Sequence, residues 1–389
     1  MTPIYLDNNA TTPLLPAVWE AMRPFALDAF GNPASAHAAG RQARRALEDA
    51  RERVAALLDA YPDEVVFTGG ATESNNLALF GLAGDPPGCL LSSLVEHPSV
   101  VEPLRRLAGQ GFNVAWLPVD AAGIVKVDVV DARLVAVQLA NHETGVIQRS
   151  AECGVRSAKC GAAFHCDATQ AVGKIPVRFH ALGATTLSLS AHKFHGPKGV
   201  GALLVKRGTK LRPLLLGGHQ QQGRRPGTEA VALAVGLAAA LDLAVRDMDE
   251  RRAIVVGLRR RFLDHLRTHA APVVVNGAGE DGLPHTLNLS FPGLKADLLM
   301  MSLDLAGVAC STGSACSSGS LLPSPVLQAM GVADAVLRSA LRFSLSFLLT
   351  ADEVEEAARR VVEVVKRLRQ DGSTNHVSNP KRSGSPKLP

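Results

Sequence analysis

The sequence predicts an α/β fold in which a parallel sheet carries helices on both faces and a smaller α+β domain follows it. Three observations carry this. Short apolar runs alternate with stretches of helical periodicity through the first half of the chain, the pattern of repeated strand–helix units. Those runs end in glycine or small polar residues, as strands do where they meet a loop. The alternation then stops after SAHKFHGPKGVGALLV, and a different mixture of helix and short strand takes over.

The elements follow in order. Ala43, Ala46, Leu47, Ala50, Val54, Leu57 and Leu58 recur at helical spacing. Val65-Val66-Phe67-Thr68 reads as a strand that meets Gly69-Gly70 and a second helix, ATESNNLALFGL. CLLSS leads to a helix from Pro98. FNVAWL, then LVAVQL with a helix near Cys153, then AAFHCD and LSLS continue the series. One long helical region is predicted from about Thr228 to Thr268. Beyond it come the strands PVVVN and HTLNLSF, a helix over 296–305, a Gly/Ser loop and a closing helix from Asp352. The resulting division is an N-terminal segment (1–12) packing on the small domain, a large domain (13–251), a small α+β domain (252–370) and a disordered tail (371–389).

Composition narrows the function. The chain has 389 residues, 47% hydrophobic and 20% charged, ordinary for a globular enzyme. Its formal charge of +5 owes part of its excess to Lys381, Arg382 and Lys387 in the tail. Elsewhere, basic residues such as Arg41, Arg44 and Arg51 interleave with Glu48, Asp49 and Glu52, which reads as a solvated helix face. With only 4% aromatic residues there is no stacking platform for nucleic acid, so direct nucleic-acid binding is not expected. Neither a signal peptide nor a membrane span is expected. The cysteines (Cys89, Cys153, Cys160, Cys166, Cys310 and Cys316) form no C-x-x-C pair, so no metal site is expected and reduced thiols in the cytoplasm are.

Ligands in open α/β sheets bind beyond the carboxyl ends of the strands, so residues ending the apolar runs are the informative ones. Thr68-Gly69-Gly70-Ala71-Thr72 is a strand end followed by a helix start, suited to a phosphate; a plain capped turn is the competing reading. Asp167 ends AAFHCD, where a carboxylate can keep a heteroaromatic nitrogen protonated or simply cap a helix; Gln170 follows it. Lys193 follows a strand expected to be half-buried, where lost hydration would free a nucleophilic amine; an exposed spectator is the alternative. Ser190 and His192 beside it can donate to a phosphate. His97, after CLLSS, can stack on a ring or carry protons, or serve structure alone. Asn141 ends LVAVQL in the same way. Cys316 sits at the centre of the small-residue loop CSTGSACSSGS, placed for reactivity, whereas Cys310 reads as core.

The chain resembles the NifS/IscS-type cysteine desulfurases of the class V aminotransferase group. The likeness runs through YLDNNATTP, GNPASAH, FTGGATESNN, EHPSV, NHETGVIQ, HCDATQAVGKIPV, SAHKFHGPKGVGALLV, RRPGTEA, GSACSSGSLLPSPVL and LRFSL. The resemblance implies a fold-type-I enzyme with a mostly parallel seven-stranded sheet, pyridoxal 5'-phosphate as cofactor and L-cysteine as substrate. It implies that Lys193 links covalently to the cofactor, Asp167 pairs with the ring nitrogen, Gln170 bonds the ring hydroxyl and His97 stacks on the ring. Ala71, Thr72, Ser190 and His192 would hold the phosphate, completed by Thr228 from the second subunit of a homodimer. Asn141 and Arg342 would bind the substrate, with Asn141 also near the cofactor. Cys316 would accept the sulfur as a persulfide and pass it to an acceptor protein of the iron–sulfur scaffold or tRNA-thiolation kind. The chain departs from the family pattern at His142, at Gly217-Gly218-His219-Gln220-Gln221 and after Leu345. A different class V enzyme, such as a selenocysteine lyase or aminotransferase, would need Lys193 and Asp167 without Cys316. A non-catalytic scaffold would need none of the three.

Overall fold

The computed structural model describes residues 2–128, 131–277, 279–313 and 323–377. The loop that holds Cys316, and the tail beyond 377, therefore lie outside the described residues.

The first core is a seven-stranded sheet. Its strands are β2 (Val65–Thr68), β3 (Cys89–Ser93), β4 (Asn113–Leu117), β5 (Leu134–Ala136), β6 (Ala163–Asp167), β7 (Thr186–Ser190) and β8 (Gly201–Val205), in the order β2-β8-β7-β6-β5-β3-β4. Each run read from the sequence supplies one strand. β8 alone is reversed, antiparallel to both β7 and β2, and the other neighbours pair in parallel. The connections explain this. Only the short link 191–200 separates β7 from β8, enough for an antiparallel return, whereas a parallel pair needs a crossover of a dozen residues or more. The carboxyl ends of the six co-directional strands therefore share one edge.

Helices α1 (Pro16–Leu27), α2 (Ala38–Leu57), α3 (Ala71–Ala83), α4 (Pro98–Ala108), α5 (Ser150–Cys160) and α6 (Val231–Arg246) accompany the sheet. With faces covered, β2, β7 and β8 are buried along their whole length. The strand before Lys193 is thus fully buried where half-burial was expected. The basic face of α2 is mostly solvated, but Arg51 is buried, bonding the Val65 carbonyl at 2.5 Å and lying 3.6 Å from Glu229.

The long helical region predicted over 228–268 is two helices. α6 ends at Arg246 and α7 (Met248–His269) begins after a single intervening residue, the break at Asp247. The Asp247 carboxylate accepts from Arg246 at 2.8 Å and Arg251 at 3.0 Å, a local bonding pattern that competes with helix continuation. The break also changes cores. α6 packs with the sheet, whereas Val255, Leu258, Phe262 and Leu266 of α7 join a second apolar cluster.

That second cluster is built on a three-stranded antiparallel sheet, β12-β10-β9, made from β9 (Val274–Asn276), β10 (Thr286–Ser290) and β12 (Ala340–Ser344). α8 (Ala296–Leu305) and the closing α11 (Ala351–Val377) pack on it, and two short helices, α9 (Pro325–Ala329) and α10 (Asp334–Leu337), lead into β12. α11 runs past Asp371, where the sequence places the start of the tail. The N-terminal strand β1 (Ile4–Tyr5) pairs with β11 (Val308–Ala309), so Ile4 and Leu6 are buried in this second cluster before the chain crosses to the first.

Phe262 is fully buried with its ring 5.2 Å from that of Phe343. Phe262→Ala is expected to cost about 3–5 kcal/mol through lost burial and a residual cavity. Chemical unfolding should show a clearly lowered midpoint for this variant, and an unchanged midpoint would contradict the packing described.

Candidate active site

The shared strand edge opens into a cavity of about 710 Å³, within the range of small-molecule sites. Ala71, Thr72, His97, Asp167, Gln170, Ser190, His192 and Lys193 all line it. Residues far apart in sequence meet here because they lie at or just beyond the ends of four strands, β2, β3, β6 and β7.

Asp167 terminates β6 and is 7% exposed. Its Oδ1 accepts from the Thr169 N–H at 3.0 Å and its Oδ2 from Asn75 Nδ2 at 2.8 Å, so both carboxylate oxygens are held in place. Lys193 ends the single turn that follows β7, and its Nζ donates to the carbonyls of Asn9 (2.6 Å) and Ala10 (2.9 Å). Gln170 Oε1 accepts from Lys174 Nζ at 2.9 Å, which turns its amide N–H toward the Asn9 carbonyl at 3.0 Å.

At the start of α3, Gly70 has φ +147° and a Cβ there would lie 3.6 Å from Ser190 Oγ. Only glycine adopts this backbone readily, and its bareness keeps the helix terminus open to the cavity. The first-turn N–H groups have no partner within the helix, a ready anion site. His192 completes this side. Burial, with Lys193, Lys198 and Lys174 nearby, pushes its imidazole down to about 4.

His97 is the N-cap of α4, with Nδ1 accepting from the Ser99 N–H at 3.1 Å. Burial first, then the charges of Lys193 and Arg342, hold its ring below the usual histidine range against the pull of Asp167. His142, which also lines the cavity, meets His97 edge to face at 5.2 Å and is driven further down by burial.

Three expected residues are placed differently. Asn141 is 1% exposed, and its side chain braces the loop that follows: Nδ2 donates to the Val95 carbonyl at 2.9 Å, and Oδ1 accepts from Glu143 N and Thr144 N. Its neighbours Ala140 and His142 line the cavity in its stead. Arg342, on β12, is 4% exposed and bonds Asp7 Oδ1 at 2.7 Å and the His142 carbonyl at 3.1 Å. Thr228 lies exposed before α6 and is not among the lining residues. Cys310 packs against the second core, as expected, and burial pushes its thiol up to about 12.

Asn9, Asn75 and Glu96, which no periodicity or strand end singles out, also shape the site through buried hydrogen bonds. Among the described residues no cluster of side chains could hold a metal ion, and no helix is long and apolar enough to cross a membrane.

Comparison with known proteins agrees with this geometry. Residues 4–356 match the family model described as Aminotransferase class-V. "Cysteine desulfurase IscS" of Dictyoglomus turgidum (strain DSM 6724 / Z-1310) is 41% identical over 94% of this chain and 95% of its own length. "Cysteine desulfurase, mitochondrial" of Arabidopsis thaliana is 40% identical over 95% of this chain and 83% of its own. A solved structure described as "NIFS-LIKE PROTEIN" superposes with a TM-score of 0.88 at 35% identity, covering 94% of this chain and all of that one.

Glu96 is buried with its carboxyl raised from 4.5 to about 8, chiefly by burial. An acid raised in the folded state binds its proton more tightly there, so stability falls as pH climbs from about 4.5 to about 8 and is level above it. Its oxygens bond Ser93 Oγ and Gln138 N–H, a pair that a glutamine amide can also serve. Glu96→Gln should therefore gain on the wild type across this window, by a few kcal/mol at most. Melting temperatures of both proteins at the two ends of the window test this, and a difference independent of pH would refute it.

Proposed function

This chain belongs to the aminotransferase class-V family, and we propose that it acts as a cysteine desulfurase with Lys193 as its reactive amine and Cys316 as its sulfur acceptor. The observation that carries the reading is one cavity lined by Lys193, Asp167, His97 and an open helix terminus. The family implies pyridoxal 5'-phosphate, and the donor set fits it. An amine stands ready for the aldehyde, a carboxylate for the ring nitrogen, an imidazole for the ring face, and a glycine-bordered cradle for the phosphate.

We assign the phosphate to Ala71, Thr72, Ser190 and His192, the ring hydroxyl to Gln170 and the ring nitrogen to Asp167. Bound there, the cofactor supplies an electron sink for the charge left when the substrate loses its α-proton. The Lys193 amine takes that proton, and His97 carries protons at the ring face. Arg342 grips the substrate carboxylate through two parallel hydrogen bonds, a carboxylate that competes with Asp7 for the same guanidinium. Asn141 contributes by bracing the loop that carries His142. The Cys316 thiolate then forms a bond to the substrate sulfur as the carbon–sulfur bond breaks. The products are a persulfide on Cys316 and, after protonation at carbon, L-alanine.

A second copy of the chain is part of this reading. Thr228 is assigned to the partner's phosphate site, and its exposed position in this chain supports that. So does the apolar surface of the preceding segment, where Leu214, Leu215 and Leu216 are 42%, 49% and 89% exposed. The persulfide is handed to an acceptor protein of the iron–sulfur scaffold or tRNA-thiolation kind. Free thiols at Cys89, Cys153, Cys166 and Cys310 suit a reducing compartment such as the cytoplasm.

The test is release of sulfide and alanine in equal amounts from L-cysteine by protein loaded with pyridoxal phosphate and supplied with a thiol reductant, which frees the persulfide sulfur as sulfide. Cys316→Ala should keep the cofactor's visible absorbance and lose sulfide release, whereas Lys193→Ala should lose both the lysine-linked absorbance and turnover. Full turnover by Cys316→Ala would sink the assignment of the sulfur acceptor.

A further inference from the structure

We propose that Asn75 is a positioning residue that sets two cofactor-facing groups at once, orienting the Asp167 carboxylate directly and, through the Ser99 hydroxyl, reinforcing the tautomer of His97. The proposal rests on the cofactor reading given above and deepens it. Asn75 lies on α3 and is fully buried. Its Nδ2 is 2.8 Å from Asp167 Oδ2 and 2.8 Å from Ser99 Oγ, and its Oδ1 is 3.0 Å from His165 Nε2.

These contacts leave one arrangement of protons. An ionised carboxylate only accepts, so the amide must turn its NH2 toward Asp167 and its oxygen toward His165. The amide oxygen only accepts, so His165 carries its proton on Nε2. With that ring neutral, its Nδ1 accepts from Thr186 Oγ1 at 2.9 Å. Burial supports this neutral form, holding His165 down to about 4.

The second amide hydrogen goes to Ser99 Oγ. That hydroxyl lies 2.8 Å from His97 Nδ1, which already accepts from the Ser99 N–H. Ser99 therefore receives from Asn75 and donates to His97. Two donors converge on His97 Nδ1, and the imidazole proton is confined to Nε2. One buried amide thus links the acid at the end of β6 to the imidazole at the start of α4. Every hydrogen-bonding atom of its side chain is used in doing so.

The experiment compares wild type with Asn75→Ala, Asn75→Asp and Ser99→Ala in the full-length chain stripped of cofactor. One readout is equilibrium binding of pyridoxal phosphate. The other is the tautomer of His97 from its ring 15N shifts, assigned by the signals that vanish in His97→Gln. Asn75→Ala should weaken cofactor binding at least tenfold, as expected for losing a hydrogen bond to a charged group, and should shift the His97 Nδ1 15N signal as the Ser99 hydroxyl loses its donor. Asn75→Asp, nearly the same shape, places a second carboxylate against Asp167 and should weaken binding as much. Ser99→Ala cuts only the hydroxyl arm to His97 and keeps the Ser99 N–H, so it should shift the His97 Nδ1 15N signal while affecting affinity less than Asn75→Ala.

Should Asn75→Ala fail to fold, the other two variants carry the test. Wild-type affinity in the Asn75 variants, or an unchanged His97 Nδ1 signal in Ser99→Ala, would overturn the proposal. Failure of the wild type itself to take up the cofactor would overturn the cofactor reading instead, and the two failures are separable.

Discussion

Closure of the site depends on the hydrogen bonds of one asparagine near the chain's start. Asn9 is 1% exposed and every polar group it has is engaged. Its N–H donates to Ser344 Oγ, its Nδ2 to the His142 carbonyl and Thr286 Oγ1, and its Oδ1 accepts from His285 Nε2. Its carbonyl accepts from both Gln170 and Lys193. Ser344, His285 and Thr286 belong to the region of the second core, while His142, Gln170 and Lys193 belong to the first. The amine of Lys193 is therefore located by a residue that is itself held only when the two cores are docked. Pairing of β1 with β11 delivers Asn9 to that position, which gives the N-terminal segment a part in the chemistry as well as in packing.

The electrostatics follow from this enclosure. Burial lowers the imidazoles of His97, His142 and His192, so the histidines around the cavity are neutral at physiological pH. Asp167 sits among them with two hydrogen bonds to its carboxylate, and Glu96 behind it carries its proton. The carboxylate of Asp167 thus shares a cavity with neutral imidazoles and with the amines of Lys193 and Lys198. A carboxylate in that place can pair with the nitrogen of a pyridine ring.

Much of this was legible in the sequence because a parallel sheet sends its strand ends to one edge. Thr68, Asp167 and Ser190 end apolar runs, with His97 and Lys193 close behind, and that alone forecasts their convergence. What periodicity could not reveal was a break at one residue in an otherwise continuous helical pattern. Asp247 ends a helix because two arginines reach its carboxylate, one from the next helix. Nor could it reveal the direction of a buried amide. Asn75 and Asn141 are both asparagines beside the site, yet one faces Asp167 and the other turns into its own loop. Their roles come from which donors and acceptors lie within 3 Å, and those partners are scattered through the chain. The same limit applies to Arg342, whose engagement with Asp7 joins positions at opposite ends of the sequence.

The groups on the sheet edge do not by themselves select a reaction. An amine, a ring-facing carboxylate and a phosphate cradle would serve any chemistry that begins by removing a proton next to an amino group. Loss of Lys193 would therefore stop a transaminase as surely as a desulfurase. Sulfur chemistry needs one more thing: a nucleophile soft enough to attack sulfur, and Cys316 in its run of small residues is the thiol suited to it. The buried thiols do not compete. Cys153 and Cys310 are pushed up to about 12 by burial and Cys166 is raised well above the usual thiol range, so none offers a thiolate near neutral pH. In the proposed reaction the groups on the sheet edge make the substrate's carbon–sulfur bond breakable, and Cys316 decides where the sulfur goes.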